Sequence, residues 1–495
     1  MAAAEPQPEP APEPAARPFP SHAAAPALPC LLLGAPDGRR VLGSWGPSLY
    51  TDFVLPEARA CLQVAAEGEP AHRQAVDDAL RILDGHREAH SATGSLGGER
   101  PAAPAPLPLS LPEGVAEGVA RRQVLGDCLR VAASGDSVEA MLISLQCAGT
   151  AGLPPPDGRL CVAVQAWGGD KMSSKSKHRL AARCLEAAGL GQLPRVGADA
   201  ALPTDTLFVC AVVHEGPLAP AAYFGRRCQA AAQFLHSLRR LDAVAERPLL
   251  GDAPTRPPLA LAMANLAQLR RGAVVLDPFL GSGALMLAAA ELGAHVLGGD
   301  NDPSLLFGAD ADGATERTVH ANFDQLGLPR PELFCADTLA RGCGVLVGRR
   351  RLDAIITDPP FGLRFPPWRM GVRPRQLNCP SRWPRPAMTS APYLQLCPPP
   401  SDAEGWAESK AAGFDHAAVN HLVRVRLLQL AGALLRDGGR LVFLCPVRKG
   451  EALVQLLGAS LEEAGTAGLV FEDAPAQAFQ NIERHCVVMR RQCEG

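Results

Sequence analysis

No stretch of roughly eighteen apolar residues occurs in the chain, so no membrane-spanning helix is expected. No Cys-x-x-Cys pair occurs among its 15 cysteines. That spacing argues against a disulfide framework and for a reduced compartment. Cys335 and Cys343 are read as free thiols rather than metal ligands, and no metal site is expected. Charge of neither sign dominates: 48 Lys and Arg face 51 Asp and Glu, a net of −3. A uniformly basic chain is thereby excluded, but local basic patches are not. Aromatics are few, at 5%, whereas Pro and Gly number 47 and 48 and fill many loops.

What is present organises the 495 residues into several segments. Residues 1–27 repeat Glu-Pro and Ala-Pro, lack an apolar signal core and are poor in Arg. They read as a disordered tail without secretory or organellar targeting, which places the protein in the cytoplasm. Residues 28–89 hold a strand and turn from Pro29 and a short helix over Asp52–Ala60. A Gly/Ser/Pro-rich linker is expected over 90–113, an α+β domain over 114–226 and a linker helix within 227–245. The α+β domain carries strands at Cys161–Trp167 and Leu207–Val213. Residues 246–491 then alternate strand and helix. Strands are expected at Val274–Leu276, at His295–Gly298 running to Asp300, at Leu333–Ala336, at Leu352–Ile356 and at Arg440–Cys445. Helices are expected at Leu259–Leu269, Ala284–Leu292, Thr315–Leu326 and His416–Leu435. The alternation predicts a parallel, doubly wound Rossmann-like sheet with ligands at the strand carboxyl ends. Residues 374–413 read as a flexible insertion.

Two motifs carry the chemistry. Asp277-Pro278-Phe279-Leu280-Gly281-Ser282-Gly283 closes the first of these strands, and Thr357-Asp358-Pro359-Pro360-Phe361-Gly362 closes the fourth. In the first, the glycines let the backbone approach a ligand, and the following helix offers free N–H groups to a carboxylate. Asp300 and Asp337 end the next two strands. Asp300 is placed to bind ribose hydroxyls, and Asp337 to meet an adenine amino group. Asp302 reads as an ordinary helix cap before Ser304. In the second motif, a carboxylate at Asp358 and a backbone carbonyl held rigid at Pro359 and Pro360 can each accept one N–H of an amine. The amine lone pair, otherwise delocalised, is then aimed at a methyl sulfonium. Phe361 can stack on a flat base. The plain alternative for Asp-Pro-Pro alone is a strand-end turn. Together, the motifs point to a methyltransferase that binds S-adenosylmethionine through Asp277, Phe279, Gly281, Gly283, Asp300 and Asp337, and methylates an exocyclic amine.

Basic residues cluster in two places. Lys171, Lys175 and Lys177 are followed by His178 and Arg179. The run is similar to the Lys-Met-Ser-Lys-Ser loop of class I aminoacyl-tRNA synthetases, but no companion His-x-Gly-His occurs. The lysines suit phosphate contacts, with a solvated helix end as the alternative. After the Pro-Pro motif, Arg364, Arg369, Arg373, Arg375, Arg382 and Arg385 interleave with Trp368 and Trp383. Such a loop beside an amine-methylating site suits a nucleic-acid backbone.

From about Tyr223 to Met489 the chain resembles the tRNA guanosine-10 N2-methyltransferases, which carry a THUMP domain before a Rossmann-like methyltransferase domain. The likeness rests on Tyr223-Phe224-Gly225-Arg226, Leu261-Ala262-Met263-Ala264-Asn265, the Asp277 motif and Gly299-Asp300-Asn301-Asp302. It continues through Ala321-Asn322-Phe323-Asp324-Gln325-Leu326-Gly327-Leu328, Ile355-Ile356-Thr357-Asp358-Pro359-Pro360, Arg364, Gly371, Gly438-Gly439-Arg440-Leu441-Val442 and Arg484. Asp52-Phe53 with Leu55-Pro56-Glu57 looks like a remnant of an N-terminal ferredoxin-like domain, here shortened. The resemblance implies a THUMP-like RNA-binding domain over 114–226, tRNA as substrate, S-adenosylmethionine as cofactor and methyl transfer to the guanine amine at tRNA position 10. It also implies a small zinc-binding activator subunit, docked on an exposed apolar strip at the edge of the methyltransferase sheet. The chain departs from the family at Phe361, where Tyr is usual, and around Ala253-Pro254, where a Thr-Ser pair is missing and Pro257-Pro258 follows. Other readings are an amine methyltransferase acting on DNA adenine or protein glutamine, and a tRNA-binding protein with a degenerate catalytic domain. The intact Asp277, Gly281, Gly283, Asp300 and Asp358 oppose the last.

Overall fold

Apolar runs broken by glycine and proline build two sheets in the computed structural model. It describes residues 28–34, 53–67, 72–94, 107–122, 126–149, 159–167, 172–194, 206–214, 220–228, 240–241, 247–250, 255–308, 317–336, 338, 352–360, 416–466, 468–479 and 482–492. Lys171, Asp337, Phe361, Arg364 and the segment 374–413 lie outside the described residues. So do the remaining arginines and tryptophans of the basic loop, Cys343, the 1–27 tail and nearly all of the expected linker helix.

The first sheet has six strands: β1 (Leu28–Gly34), β2 (Leu107–Leu111), β3 (Gly126–Gly135), β4 (Leu160–Trp167), β5 (Thr206–Val213) and β6 (Ala221–Arg227). Their order is β2-β1-β3-β6-β5-β4. All pairs are antiparallel except β4 with β5. Among the described residues, five helices accompany them: α1 (Val54–Ala66), α2 (Arg73–Gly94), α3 (Glu113–Ala120), α4 (Val138–Ala148) and α5 (Ser174–Ala187).

Residues 90–113 correct the expected linker. α2 runs into this stretch as far as Gly94, and β2 pairs with β1 near its end. Leu107, Leu109 and Leu111 alternate into the core that α2 shares with α1 and α3. Pro108 sits in the same strand because β2 is an edge, where a missing N–H costs little. β1 bonds to both β2 and β3, so one sheet crosses the boundary expected at residue 113.

The second sheet holds β7 (Val274–Asp277), β8 (His295–Asp300), β9 (Glu332–Cys335), β10 (Leu352–Thr357), β11 (Leu435–Arg448), β12 (Leu469–Asp473), β13 (Ala476–Ala478) and β14 (Ile482–Arg491). Their order is β12-β14-β11-β10-β7-β8-β9, with β13 paired to β14. The five strands from β9 to β11 are parallel. β14 runs antiparallel to β11, so the sheet is mixed rather than wholly parallel. The chain enters β14 through the β13–β14 pairing rather than a helical crossover, and a strand entered that way returns in the opposite sense.

Helices cover both faces: α6 (Pro257–Leu266), α7 (Ala284–Glu291), α8 (Pro303–Phe307) and α9 (Val319–Gln325) precede β10, and α10 (His416–Leu434) and α11 (Leu453–Ala464) follow it. Leu276 and Ile355 point to the α10–α11 side, while Val275, Ala354 and Ile356 point to the α6–α7 side. That alternation gives each face its own core. The prolines at 257–258 open α6 at its first two positions, where the missing N–H groups have no helical partner to lose. No helix among the described residues is long and apolar enough to cross a membrane.

α6 is buried along its whole length. One side faces α7; the other receives α1, whose entry residues Phe53 and Val54 join the core of the second sheet. Polar groups close this contact. The buried Asn265 amide donates to Glu57 Oε1 (2.8 Å) and to the Arg122 carbonyl (2.7 Å). Arg122 in turn donates to the Leu269 carbonyl (2.6 Å), and Gln268 to Gln63 (2.6 Å). Arg270 pairs with Glu67 at the rim. A buried carboxylate such as Glu57 survives only where such partners replace water.

Candidate active site

β7 ends at Asp277, which is almost wholly buried. Its Oδ1 accepts from Thr357 Oγ1 on β10 (2.7 Å) and from the Phe279 N–H (3.0 Å). Asp277 thus braces the glycine turn against the strand that carries the second motif. Burial pushes its carboxyl up to about 7; the two hydrogen bonds oppose this, and the carboxylates of Asp300 and Asp358 add to it. A folded-state value above the unfolded one gives stability that is fully present below about pH 4 and lost as pH rises through about 7. Asp277→Asn keeps an acceptor for Thr357 and escapes the charge. Urea melts should therefore show the variant gaining on wild type by about 2 kcal/mol between about pH 5.5 and about pH 8. A stability difference that does not change with pH would show that Asp277 is ionised without penalty.

The turn that follows requires glycine twice. Gly281 has φ of +53° and Gly283 +80°, the latter capping α7 in the left-handed region. A side chain at Gly283 would press on Val319 (3.2 Å), whereas a Cβ on Gly281 would meet nothing within 4 Å. Open space therefore lies over Gly281. Behind the turn, the buried Asn322 amide donates to the carbonyls of Ser282 (3.1 Å) and Leu249 (2.9 Å) and accepts from the Leu249 N–H (2.9 Å). Phe279 packs at the edge of the core on the α10–α11 side.

Asp300 ends β8, as expected, and lies half-buried against the turn. Its Oδ2 accepts from the Gly281 N–H (2.8 Å) and its Oδ1 from the Asp302 N–H (3.0 Å). Burial raises its pKa, and the two backbone hydrogen bonds hold it back. Asp302 occupies the position before α8, its carbonyl accepting from the Leu306 N–H. Next to the undescribed Asp337, Thr338 donates to the Pro278 carbonyl (3.0 Å) and so ties the end of the third parallel segment to the turn.

Asp358 follows β10, half-buried, with Pro359 buried behind it. β10 lies directly beside β7. The structure thus brings Asp277, Gly281, Gly283, Asp300, Asp358, Pro359 and Pro360 to one end of the sheet. Two neighbours of Asp358 were not foreseen as site residues. Thr255 Oγ1 approaches Oδ2 at 3.4 Å from the segment before α6, and Arg484 Nη1 lies 4.0 Å from the same oxygen. Thr255 stands beside the departure at Ala253-Pro254, which could have drawn attention to it. Lys175 and Lys177 are not part of this group. They lie in the first turns of α5, capped by Ser173, with Lys175 exposed and Lys177 half-buried.

Residues 245–370 match the family described as UPF0020, RMKL-like, methyltransferase domain. The match covers β7 to β10 of the second sheet. Among curated proteins, the chain is 33% identical over 151 residues to tRNA (guanine(10)-N(2))-methyltransferase TRMT11 of Rattus norvegicus, covering 29% of this chain and 31% of that one. To the Homo sapiens protein of the same name it is 29% identical over 238 residues, covering 46% and 45%. The matched region thus spans less than half the length of these relatives. Among solved structures, TrmN from Thermus thermophilus is similar with a TM-score of 0.41 and 18% identity, over 94% of this chain and 99% of that one.

Proposed function

We propose, from the premise that this chain carries a methyltransferase domain, that it transfers a methyl group from S-adenosylmethionine to the N2 amine of guanosine at position 10 of tRNA. The observation that carries the reading is the junction of Asp358-Pro359-Pro360 with the Gly281–Gly283 turn across the adjacent strands β10 and β7. The open space over Gly281 and the half-buried Asp300 carboxylate fit the cofactor. The turn and the α7 N-terminus would hold its amino-acid end, Asp300 its ribose, and Phe279 and Asp337 its base side. When bound, the cofactor supplies an electrophilic methyl on sulfur. Asp358 accepts one N–H of the target amine and the Pro359 carbonyl accepts the other, which localises the nitrogen lone pair. Asp358 need not be a strong base, because the methylated nitrogen is cationic until it sheds its proton. Phe361, following these residues, supplies stacking for the base. The names of the curated relatives favour tRNA guanosine over DNA adenine or protein glutamine.

In this reading RNA is held partly by Lys171, Lys175, Lys177 and Arg364. Support comes from an electrostatic cost. Cations in the first turns of a helix oppose its dipole, so Lys175 and Lys177 do not serve α5 itself. Replacing both with Ala should flatten the salt dependence of tRNA binding by about one to two units of slope while leaving cofactor affinity unchanged. Filter binding across a salt series measures this, and an unaltered slope would make the pair a solvated face. A small zinc-binding activator subunit would dock at the edge of the second sheet, in the cytoplasm. Phe471 on the edge strand β12 and Val454 at the start of α11 are exposed apolar groups suited to it.

The test is mass spectrometry of nucleosides from unmodified tRNA incubated with the full chain, the activator and methyl-labelled cofactor. Label in N2-methylguanosine at position 10 is expected. Label in another nucleoside, in protein only, or nowhere would overturn the assignment.

A further inference from the structure

Three carboxylates converge at the carboxyl ends of β7, β8 and β10, and Asp300 and Asp358 both act on the buried Asp277. Like charges gathered in a half-buried site favour protonation. A protonated Asp358 would present an O–H where the reaction needs an acceptor. Something must therefore hold it ionised, and the strands that follow supply a candidate.

Arg484 lies on β14, directly opposite Gln477 of β13. Its Nε and Nη2 both donate to Gln477 Oε1, at 2.9 and 2.6 Å. Gln477 is buried, so this anchor is shielded from water. The guanidinium also lies over the ring of Phe479, 5.7 Å from its centroid. With one edge of the planar fork anchored, Nη1 reaches toward Asp358 Oδ2, the oxygen that Thr255 also approaches. The guanidinium fork suits this double duty, and an ammonium has no equivalent geometry.

We propose that Arg484, anchored by Gln477 and backed by Phe479, is a positioning residue for Asp358 that keeps its carboxylate ionised and oriented among its acidic neighbours. The idea rests on the methyl-transfer reading of this site. Among the described residues, the titratable groups around Asp358 are Asp277 on β7, Arg484 and the buried Cys486 thiol on β14, with Asp300 and Asp473 beyond them. Arg484 is the cation of that set. An arginine at this place lowers the basicity of Asp358 while preserving its accepting power. That suits a group that orients an amine rather than deprotonates it at the outset.

The test uses the full chain with ¹³C-carboxyl-labelled aspartate, the Asp358 signal being assigned by its loss in Asp358→Asn. In Arg484→Gln the titration midpoint of Asp358 should rise by about one pH unit, and in Arg484→Lys by less. Single-turnover methyl transfer to tRNA should show its acid limb displaced the same way. The loss would approach tenfold at pH values below both midpoints and shrink as pH rises above them, with cofactor affinity unchanged. Gln477→Leu should give a partial version of both effects. An Asp358 titration identical in wild type and Arg484→Gln would overturn the proposal, as would a loss of rate that is uniform across pH. Should Arg484→Gln fail to fold, Arg484→Lys and Gln477→Leu decide by the same titration. Wild-type protein that methylates no tRNA would overturn the proposed function instead, and the carboxyl titration would still decide the role of Arg484.

Discussion

Asp358→Ala protein is expected to transfer methyl groups at about a hundredth of the wild-type rate or less, the usual consequence of losing a pre-organised electrostatic contact at a reacting centre. The carboxylate stands beside the glycine turn, with Thr255 and Arg484 directed at one of its oxygens. On the proposed mechanism, truncation removes the acceptor that localises the amine lone pair, and it leaves Arg484 without its anionic neighbour. The effect is expected on the chemical step, because the proposed contact would strengthen as charge develops on nitrogen. Binding of tRNA and cofactor should stay close to wild type. Single-turnover transfer of labelled methyl to unmodified tRNA, with the activator present, measures the step directly. Transfer near the wild-type rate would remove Asp358 from the mechanism.

Asp300→Ala should weaken S-adenosylmethionine binding by about 2–3 kcal/mol, the scale for losing a charged hydrogen-bond partner. The carboxylate has a second duty that enlarges the effect. It accepts from the Gly281 and Asp302 N–H groups and so fixes the turn, beside the proposed hold on the sugar. Asparagine is not a conservative replacement here. Its NH₂ would confront one of those two N–H donors, so Asp300→Asn should bind almost as poorly as Asp300→Ala. Calorimetric titration with the cofactor is the measurement. An unchanged affinity in Asp300→Ala would refute the ribose role, and a fully competent Asp300→Asn would refute the bracing of the turn.

β7, β8, β9 and β10 were legible because each couples an apolar run to an acidic or glycine-rich end. β7, β8, β9 and β10 lie where the sequence places them, to within one or two residues. β2 was hidden by Pro108 and by the Pro-rich residues before it, which read as linker; an edge position makes Pro108 acceptable in a strand. β14 was hidden because strand direction is a property of the partner and not of the run itself. The same limit applies to the site. Asp358 and Asp300 stand in local motifs, but Thr255 and Arg484 reach Asp358 from about a hundred residues away on either side, and no spacing rule links them. Thr357 was visible as part of a motif, while its bond to Asp277 needed the pairing of β10 with β7.

The contact between α1 and α6 bears on what can be inherited or exchanged as a unit. The recognisable methyltransferase family begins at residue 245, yet the hydrophobic interior it depends on includes Phe53 and Val54. The NH₂ of Asn265, inside the recognisable part, donates to Glu57 and Arg122, which lie outside it. A graft of the catalytic portion onto another protein would carry a wound along α6: exposed apolar side chains and an amide stripped of its acceptors. To travel intact, the catalytic portion must take α1 with it, so the smallest transplantable piece of this protein is longer than the piece that sequence similarity outlines.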